Sequence, residues 1–312
     1  MGGIGVVTNP RSRLNRRNPR LARQLAYILG EKGTIEQPTD LEALRRTAEG
    51  FRHHGIDVLC ISGGDGTIHR VLTAMVQAYD GAPLPKFALL RGGTMNTIAH
   101  GLGISGRPSE LLDEVVSRWQ ESVPIPTARR WSLKIDDQQY GFLFGNGLIA
   151  SYLEAYYEGS EPTPMKAVWL LARGIGSTLV GGAFAQRLTR AWTGEVVIDG
   201  ERWPQRPWLT VGAGGVDDIG FGFRPFYLAP RHPGRIHVVG LGCSIGQLVS
   251  NLPRIRLARP IVADAVESVV ADGFELRSTG PIPYMIDGDF HRGGQTLRVG
   301  MGPAVDFVLR DG

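Results

Sequence analysis

The chain has 312 residues, of which 42% are hydrophobic and 21% are charged, and its formal net charge is +4. This length suits two domains, and the balance of residue types is that of an ordinary globular protein. The basic residues do not form a stripe interleaved with aromatic residues, which argues against a nucleic-acid-binding module. Cys60 and Cys243 stand in apolar stretches, so we expect a reduced, cytoplasmic setting and no disulfide framework.

Membrane-spanning and secreted classes are also disfavoured. Residues 2–7 predict a short strand rather than the apolar core of a signal peptide. A membrane-spanning helix needs about 20 consecutive apolar residues. The stretch closest to that requirement, 167–184, is interrupted by Arg173 and by glycines.

Strand and helix signals alternate through the first part of the chain. They predict strands at 4–8, 58–61 and 87–90, and helices at 21–29, at 41–51, from 67, from about 94, and at 111–119. Such alternation predicts an α/β domain whose parallel sheet is covered on both faces. Ligands of these sheets bind beyond the carboxyl ends of the strands, so the loops that follow the strands are the candidate binding segments.

The most informative of these loops is Ser62-Gly63-Gly64-Asp65-Gly66-Thr67, which follows one predicted strand and opens a predicted helix. Glycines let backbone N–H groups approach a phosphate, and the helix N-terminus adds partial positive charge. A bare phosphate would be repelled by an aspartate. Asp65 therefore implies a cation, a donor hydroxyl or a proton-transfer role.

Two more loops follow predicted strands at the same end of the sheet. Gly92-Gly93-Thr94-Met95-Asn96-Thr97 is either a tight turn that needs no ligand or a second wall of a nucleotide site. The segment from Asn9-Pro10 to Arg17 is either a solvated basic loop or a contact for phosphate or an anionic membrane.

After the segment 123–126 the pattern changes to short alternating runs punctuated by glycine and proline. Strands are predicted at 131–135, 140–144, 195–198, 208–211, 235–239, 274–277 and 297–299, with helices near 165–188 and 245–252. This pattern is typical of an antiparallel β-sandwich domain. Near its end, Asp287-Gly288-Asp289 is either a hairpin turn or a pair of carboxylates that hold a metal or accept a proton.

Taken together, the four segments appear in the order and at the spacing of the diacylglycerol kinase catalytic-domain family, and residues 3–310 resemble it. That family includes bacterial lipid kinases and the sphingosine and ceramide kinases. The Gly-Gly-Asp-Gly-Thr sequence alone is shared with NAD kinases and phosphofructokinases. The resemblance implies a nucleotide-binding domain at 1–124, completed by the C-terminal strand 300–312, and a β-rich lipid-substrate domain at 125–299.

The same resemblance implies transfer of phosphate from ATP, with Mg²⁺, to a lipid hydroxyl in a cleft between the two domains. The residues that it implies for nucleotide binding are Asn9, Thr39, Gly63, Gly64, Gly66, Thr67, Gly93, Thr94 and Asn96. It implies catalytic roles for Asp65, Asp287 and Asp289. Asp65 would hold the magnesium of Mg-ATP, and Asp289 would stand where the family usually has a glutamate general base.

This chain departs from the family pattern at four places. His69-Arg70 replaces Asn-Glu after the first glycine loop, Thr97 replaces an aspartate, and Asp289 replaces a glutamate. The stretch 232–234, which contains Pro233, replaces an Asn-Asp-Gly turn that binds a structural magnesium in bacterial members. We therefore expect that magnesium site to be missing.

The sequence does not decide which lipid accepts the phosphate or whether the protein contacts a membrane. Diacylglycerol, a sphingoid base, a ceramide or another long-chain alcohol would each suit a generic apolar pocket. The helix predicted at 165–173, with Trp169, either packs on the sandwich or lines an acyl pocket, and 252–259 reads as an edge strand or a loop. Peripheral association with the inner face of the membrane is a hypothesis, and the sequence leaves the oligomeric state undecided.

Two other functions compete with a lipid kinase. One is an NAD kinase, and the other is a nucleotide- or lipid-binding protein without catalytic activity.

Overall fold

The computed structural model describes residues 2–93, 96–157 and 190–310. The chain divides into unit 1, Met1–Arg130 with Pro303–Gly312, and unit 2, Trp131–Gly302. The sequence places the boundaries at 124 and 299, whereas the chain passes between units inside two long strands, Thr127–Ile135 and Thr296–Val308. The division of nucleotide and lipid roles between two domains stays a prediction.

Unit 1 is built on a parallel sheet. Its first four strands are β1 (Ile4–Thr8), β2 (Gly33–Glu36), β3 (Val58–Ser62) and β4 (Lys86–Leu89), and they lie in the order β2-β1-β3-β4. Every residue of β1 and β3 is buried, as expected for central strands covered on both faces. Near its end the last strand, Thr296–Val308, pairs in parallel with β4 through Phe307 and Phe87.

Six helices accompany this sheet in the described part of unit 1. They are α1 (Arg13–Arg17), α2 (Leu21–Leu29), α3 (Leu41–His54), α4 (Asp65–Tyr79), α5 (Thr97–Gly101) and α6 (Pro108–Gln120). Local chemistry fixes the ends of α3: the Asp40 carboxylate accepts from the Ala43 N–H at its start, and Gly55 takes a left-handed conformation at its end.

Unit 2 contains two antiparallel layers. Its strands are β5 (Thr127–Ile135), β6 (Gln139–Gly141), β7 (Leu143–Asn146), β8 (Glu195–Ile198), β9 (Glu201–Arg202), β10 (Thr210–Gly214), β11 (Ile236–Leu241), β12 (Val266–Ala271), β13 (Gly273–Arg277), β14 (Pro283–Ile286), β15 (Asp289–Arg292) and β16 (Thr296–Val308). Strands β12-β11-β10-β7-β14-β15 form one layer, and β16-β13-β8-β9 with β5 and β6 form the other. Buried side chains of both layers, including Phe144 and Phe274, share one hydrophobic core. The predicted fold class is confirmed.

Two helices are described in unit 2, α7 (Leu148–Tyr157) and α8 (Ile245–Arg256). The prediction of an edge strand or loop at 252–259 is wrong, because α8 runs through most of this segment. A reciprocal capping box between Ser244 and Gln247 starts α8, and burial of Ile255 holds its last turn against unit 2. The predicted helix 165–188 lies outside the described residues.

Smaller differences concern element boundaries. Helix α4 begins at Asp65 rather than Thr67, since Gly64 is its N-cap. Helix α5 begins at Thr97 rather than near 94, and the strand predicted at 140–144 is divided into β6 and β7 at Phe142. No helix among the described residues combines the length and the apolar character needed to cross a bilayer.

His237 is a buried titratable group in the core of unit 2. Its ring lies in β11, where Nδ1 accepts from the Leu228 N–H at 3.4 Å and Nε2 lies 2.8 Å from Ser268 Oγ. Burial lowers the pKa of His237 to about 4, because the charged ring would lose its hydration. Between the unfolded pKa of 6.5 and the folded value, the unfolded chain therefore binds the extra proton. The stability given by the neutral ring is present above pH 6.5 and is lost as the pH falls towards 4.

We predict that His237→Phe is less stable than the wild type at pH 7, because Ser268 and the Leu228 N–H lose a partner. As the pH is lowered from 6.5 to 4, the difference in unfolding free energy between the wild type and His237→Phe should narrow by up to about 3 kcal/mol. Urea unfolding followed by circular dichroism at several pH values measures this difference. The exposed His53→Gln variant should track the wild type, and a constant difference for His237→Phe would contradict the assignment.

Candidate functional site

The first loop, residues 62–67, joins β3 to α4 at the carboxyl end of the parallel sheet. Gly64 caps α4 in an extended conformation, and as a glycine it offers no side chain to accept a capping hydrogen bond. A Cβ at Gly63 would collide with the side chain of Thr67. The loop thus presents bare backbone at the N-terminus of a 15-residue helix, where an anion is stabilised by N–H groups and the helix dipole.

The second loop begins at Arg91, after β4, and its residues Gly92 and Gly93 lie directly against the first loop. A Cβ at Gly92 would stand 2.8 Å from the Gly63 backbone nitrogen, and one at Gly93 would collide with the Gly64 Cα. Real Cβ atoms do not approach backbone so closely. Glycine is therefore required at both positions for the two loops to pack backbone against backbone.

Asp65 ties the two loops together. The residue is half-buried at the start of α4, and its carboxylate oxygens accept from the N–H groups of Thr97, at 3.1 Å, and Ile98, at 3.3 Å. Burial raises the pKa of Asp65, while these two N–H groups and the Thr97 hydroxyl act in the opposite direction. The carboxylate thus caps α5, the helix that leaves the second loop.

The segment after β1 joins the same arrangement. Asn9 Nδ2 donates to Thr67 Oγ1 at 2.8 Å, which links the end of β1 to the first turn of α4. Asn15, in α1, donates from Nδ2 to the carbonyl oxygens of Asn9, at 2.7 Å, and Ser62, at 3.1 Å, and accepts from Ser62 Oγ. Asn15 is not recognisable as a site residue from the sequence. Its only sequence signal is one amide within an arginine-rich run.

Other predicted binding residues have different surroundings. Asn96 adopts a left-handed conformation, and its side chain accepts from the Gly93 N–H at 2.9 Å and donates to the Gly93 carbonyl at 3.3 Å. Gly66 lies in the first turn of α4. Thr39 donates to Asp40 Oδ2 and lines a groove of about 370 Å³ beyond the end of β2. Thr94 lies outside the described residues.

In unit 2, Asp287 and Gly288 form the two-residue turn between β14 and β15. Both have positive φ, 46° and 84°, and Ile286 pairs with Asp289 across the turn. Positive φ at both central residues defines a type I′ turn, for which Asp-Gly is favoured. The hairpin interpretation of this segment is therefore correct.

The Asp287 carboxylate is itself buried and anchors this turn. It accepts from the Phe142 N–H at 2.9 and 3.0 Å and from the Leu143 N–H at 2.8 Å. A Cβ at Gly141 would stand 2.7 Å from Asp287 Oδ2, so the neighbouring glycine leaves room for the carboxylate. Asp289 is the first residue of β15, and it therefore belongs to a hairpin that is fixed to β7.

Three comparisons with known proteins bear on this arrangement. Residues 3–127 match the family model of the diacylglycerol kinase catalytic domain. This match confirms the resemblance predicted from the sequence. It includes both glycine loops and ends before the hairpin that carries Asp287 and Asp289.

Curated relatives match over a short stretch. The chain is 39% identical over 72 residues to the "Probable lipid kinase YegS-like" protein of Stenotrophomonas maltophilia (strain K279a). It is 40% identical over 60 residues to the "Probable lipid kinase YegS" protein of Salmonella arizonae (strain ATCC BAA-731 / CDC346-86 / RSK2980). These matches cover only 23% and 20% of the length of the relatives.

The fold is shared over the whole chain. A crystal structure of a diacylglycerol kinase from Bacillus anthracis str. Sterne aligns with a TM-score of 0.65 and 12% identity, covering 99% of this chain and 97% of that one. A further crystal structure from the same organism aligns with a TM-score of 0.71, 14% identity and the same coverage. At these identities the alignments establish the fold alone.

The departures from the diacylglycerol kinase pattern have distinct structural settings. His69 is buried within α4, whereas Arg70 is exposed. Thr97 keeps the contact with Asp65, because this contact uses the backbone N–H, and its hydroxyl adds a hydrogen bond. A threonine at position 97 therefore supports the buried carboxylate without placing a second negative charge beside it.

We predict that Asp65→Asn loosens the second loop. An amide offers one acceptor oxygen for two N–H groups, so hydrogen exchange at Thr97 or Ile98 should accelerate by about tenfold. Asp40→Asn is the matched control, since one oxygen suffices for the Ala43 N–H and asparagine caps helices as well as aspartate. Unchanged exchange at both Thr97 and Ile98 would remove Asp65 from this role.

Proposed function

We propose that this chain is an ATP-dependent lipid kinase, which transfers the γ-phosphoryl group of ATP to a lipid hydroxyl. The observation that carries the proposal is the backbone-to-backbone packing of the two glycine loops, Gly92 and Gly93 against Gly63 and Gly64, at the N-terminus of α4. The diacylglycerol kinase match over residues 3–127 supports it. So do the curated relatives whose names describe them as lipid kinases.

The first unit supplies positioning for this reaction. Phosphoryl transfer passes through a loose transition state, so catalysis consists mainly of alignment and charge stabilisation. Backbone N–H groups of the first loop hold phosphate oxygens without the solvation cost of moving a charged side chain into place. The hydrogen bond from Asn9 to Thr67 fixes the first turn of α4, and Asp65 fixes the second loop beside it.

Magnesium is expected to accompany ATP and to neutralise phosphate charge when it is bound. Both oxygens of Asp65 already accept from backbone N–H groups in a buried setting. These contacts favour Asp65 as a positioning residue over a direct ligand of the ion. Its ligation of Mg²⁺ stays a prediction, and no step here depends on it.

The second unit supplies the general base. We assign this role to Asp289, which accepts the proton of the lipid hydroxyl as the phosphoryl group transfers. Asp287 is a positioning residue, because its carboxylate is committed to the N–H groups of Phe142 and Leu143. The acceptor is a long-chain lipid alcohol, for which diacylglycerol, a sphingoid base and a ceramide are the candidates. The enzyme reaches it by peripheral contact with an anionic membrane surface.

The direct test combines labelled ATP and magnesium with anionic vesicles that contain a total lipid extract. We expect one labelled lipid, identified by mass spectrometry, and flotation of the protein with the vesicles. A parallel incubation with NAD tests the NAD kinase alternative. NADP without any labelled lipid would reverse the assignment, and ATP binding without any product would identify a non-catalytic homologue.

Asp289→Asn should reduce kcat by about 10²- to 10⁴-fold, because an amide cannot accept the hydroxyl proton. Its affinity for ATP should stay within about twofold of the wild type, since Asp289 lies outside both glycine loops in the sequence. Asp289→Glu should keep more activity than Asp289→Asn. The exposed Asp113→Asn variant in α6 controls for the loss of charge, and full turnover by Asp289→Asn would exclude this residue as the base.

A further inference from the structure

Arg91 is the first residue of the second loop and has an unusual backbone conformation. Its φ is +53°, in the left-handed region where a residue with a Cβ is strained. The neighbours on each side hold it there. The Leu90 N–H donates to the Ile61 carbonyl, and the Gly92 carbonyl accepts from the Leu14 N–H. Arginine is thus kept where glycine or asparagine would be less strained.

The side chain of Arg91 has an unsatisfied donor. The residue is half-buried, and its Nε is shielded from solvent with no hydrogen-bond partner among the described residues. The Nε groups of other arginines donate to carboxylates. Arg235 Nε donates to Asp272, and Arg129 pairs with Asp306 in bidentate geometry. A buried donor without an acceptor destabilises the folded state, and a charged one more so.

The position of Arg91 identifies the kind of acceptor that would satisfy it. The next residue, Gly92, packs against the Gly63 backbone, so Arg91 belongs to the same rim as the first loop. The only carboxylate that the described structure ties into these loops, that of Asp65, is committed to Thr97 and Ile98. A phosphate would supply several acceptor oxygens and the opposite charge, and arginine is the side chain best suited to bind it in bidentate geometry.

We propose that the guanidinium of Arg91 binds a phosphate group of the nucleotide and is a substrate-binding residue of this site. The inference rests on the proposed function, which it deepens by naming a side-chain contact for the phosphates in addition to the backbone of the glycine loops. The left-handed backbone and the unpaired Nε then have a common explanation. In the free protein the hydrogen bonds of Leu90 and Gly92 maintain this arrangement, and a bound polyphosphate supplies the acceptor that the Nε lacks.

The test uses full-length Arg91→Gln and Arg91→Gly. Arg45→Gln is the matched control, since it removes the same charge from an exposed position of α3. Isothermal titration calorimetry measures the affinity for Mg-ATP, for tripolyphosphate and for adenosine. Both Arg91 variants should bind Mg-ATP and tripolyphosphate about tenfold or more weakly, as expected for a lost charge-assisted contact. Adenosine binding should be unchanged, and the control should match the wild type for all three.

Thermal unfolding gives an independent readout. Because glycine adopts a φ of +53° without strain and leaves no unpaired donor, Arg91→Gly should fold and should melt at a higher temperature than the wild type without ligand. Tripolyphosphate should raise the melting temperature of the wild type more than that of either Arg91 variant. A residue that merely supported the fold would show the opposite, with Arg91→Gly less stable and the ligand-induced shift unchanged.

The outcomes separate this inference from the proposed function. If the wild type binds Mg-ATP and both Arg91 variants bind it within twofold of the wild type, the assignment of Arg91 is overturned and the kinase proposal stands. Equal weakening of adenosine and tripolyphosphate would also overturn it, because the effect would not be specific for phosphate. If the wild type binds neither Mg-ATP nor tripolyphosphate, the proposed function itself fails.

Discussion

The close contact between the backbones of two glycine loops is the constraint on which the candidate phosphate site depends. Gly92 and Gly93 approach Gly63 and Gly64 so closely that a Cβ on either of the first two would overlap backbone atoms of the first loop. Contact at this distance removes water from between the loops, and buried polar groups then need partners inside the protein. Asp65 is one such partner, because its carboxylate accepts from two N–H groups at the start of α5. The burial of Asp65 is therefore a consequence of the loop contact.

The aspartates that stand out in the sequence consequently fall into two kinds. Asp65 is half-buried and Asp287 is buried, and each accepts from at least two backbone N–H groups of a different segment, Thr97 and Ile98 in one case and Phe142 and Leu143 in the other. A carboxylate held in this way fixes the course of the chain. Its removal would first make the loop that it anchors less ordered. Asp289 instead begins a strand at a hairpin that Asp287 holds in place. This difference between the aspartates supports our proposal that Asp289, rather than Asp65 or Asp287, accepts the proton.

Sequence patterns predict the elements of this fold that depend on the residue types within one short stretch of the chain. An apolar run followed by glycines predicts β3 and the first loop. Consecutive apolar residues indicate a strand buried on both faces, and glycines indicate a backbone free to turn. The edge strand β2, with alternating burial over four residues, carries too short a pattern to be recognised. Asn15 could not be identified either, since its importance comes from contacts with Asn9 and Ser62, the latter 47 residues away. The prediction fails at the end of α8, because alternating arginines resemble a strand, whereas the burial of Ile255 that holds the last turn depends on tertiary packing.

Among the described non-glycine residues with positive φ, Arg91 is the one that also carries a buried polar atom without a hydrogen-bond partner. Most of those are aspartate, asparagine or serine in turns, where a short polar side chain can bond to nearby backbone and offset part of the cost. Asn96 does this with both polar groups of Gly93, and Asp287 with the N–H groups beyond β6. Arg91 has no such compensation within the described structure, since its Nε is buried without an acceptor. Strain that the fold leaves uncompensated is characteristic of functional sites. Its place beside the glycine loops makes a polyphosphate the ligand whose binding would offset it.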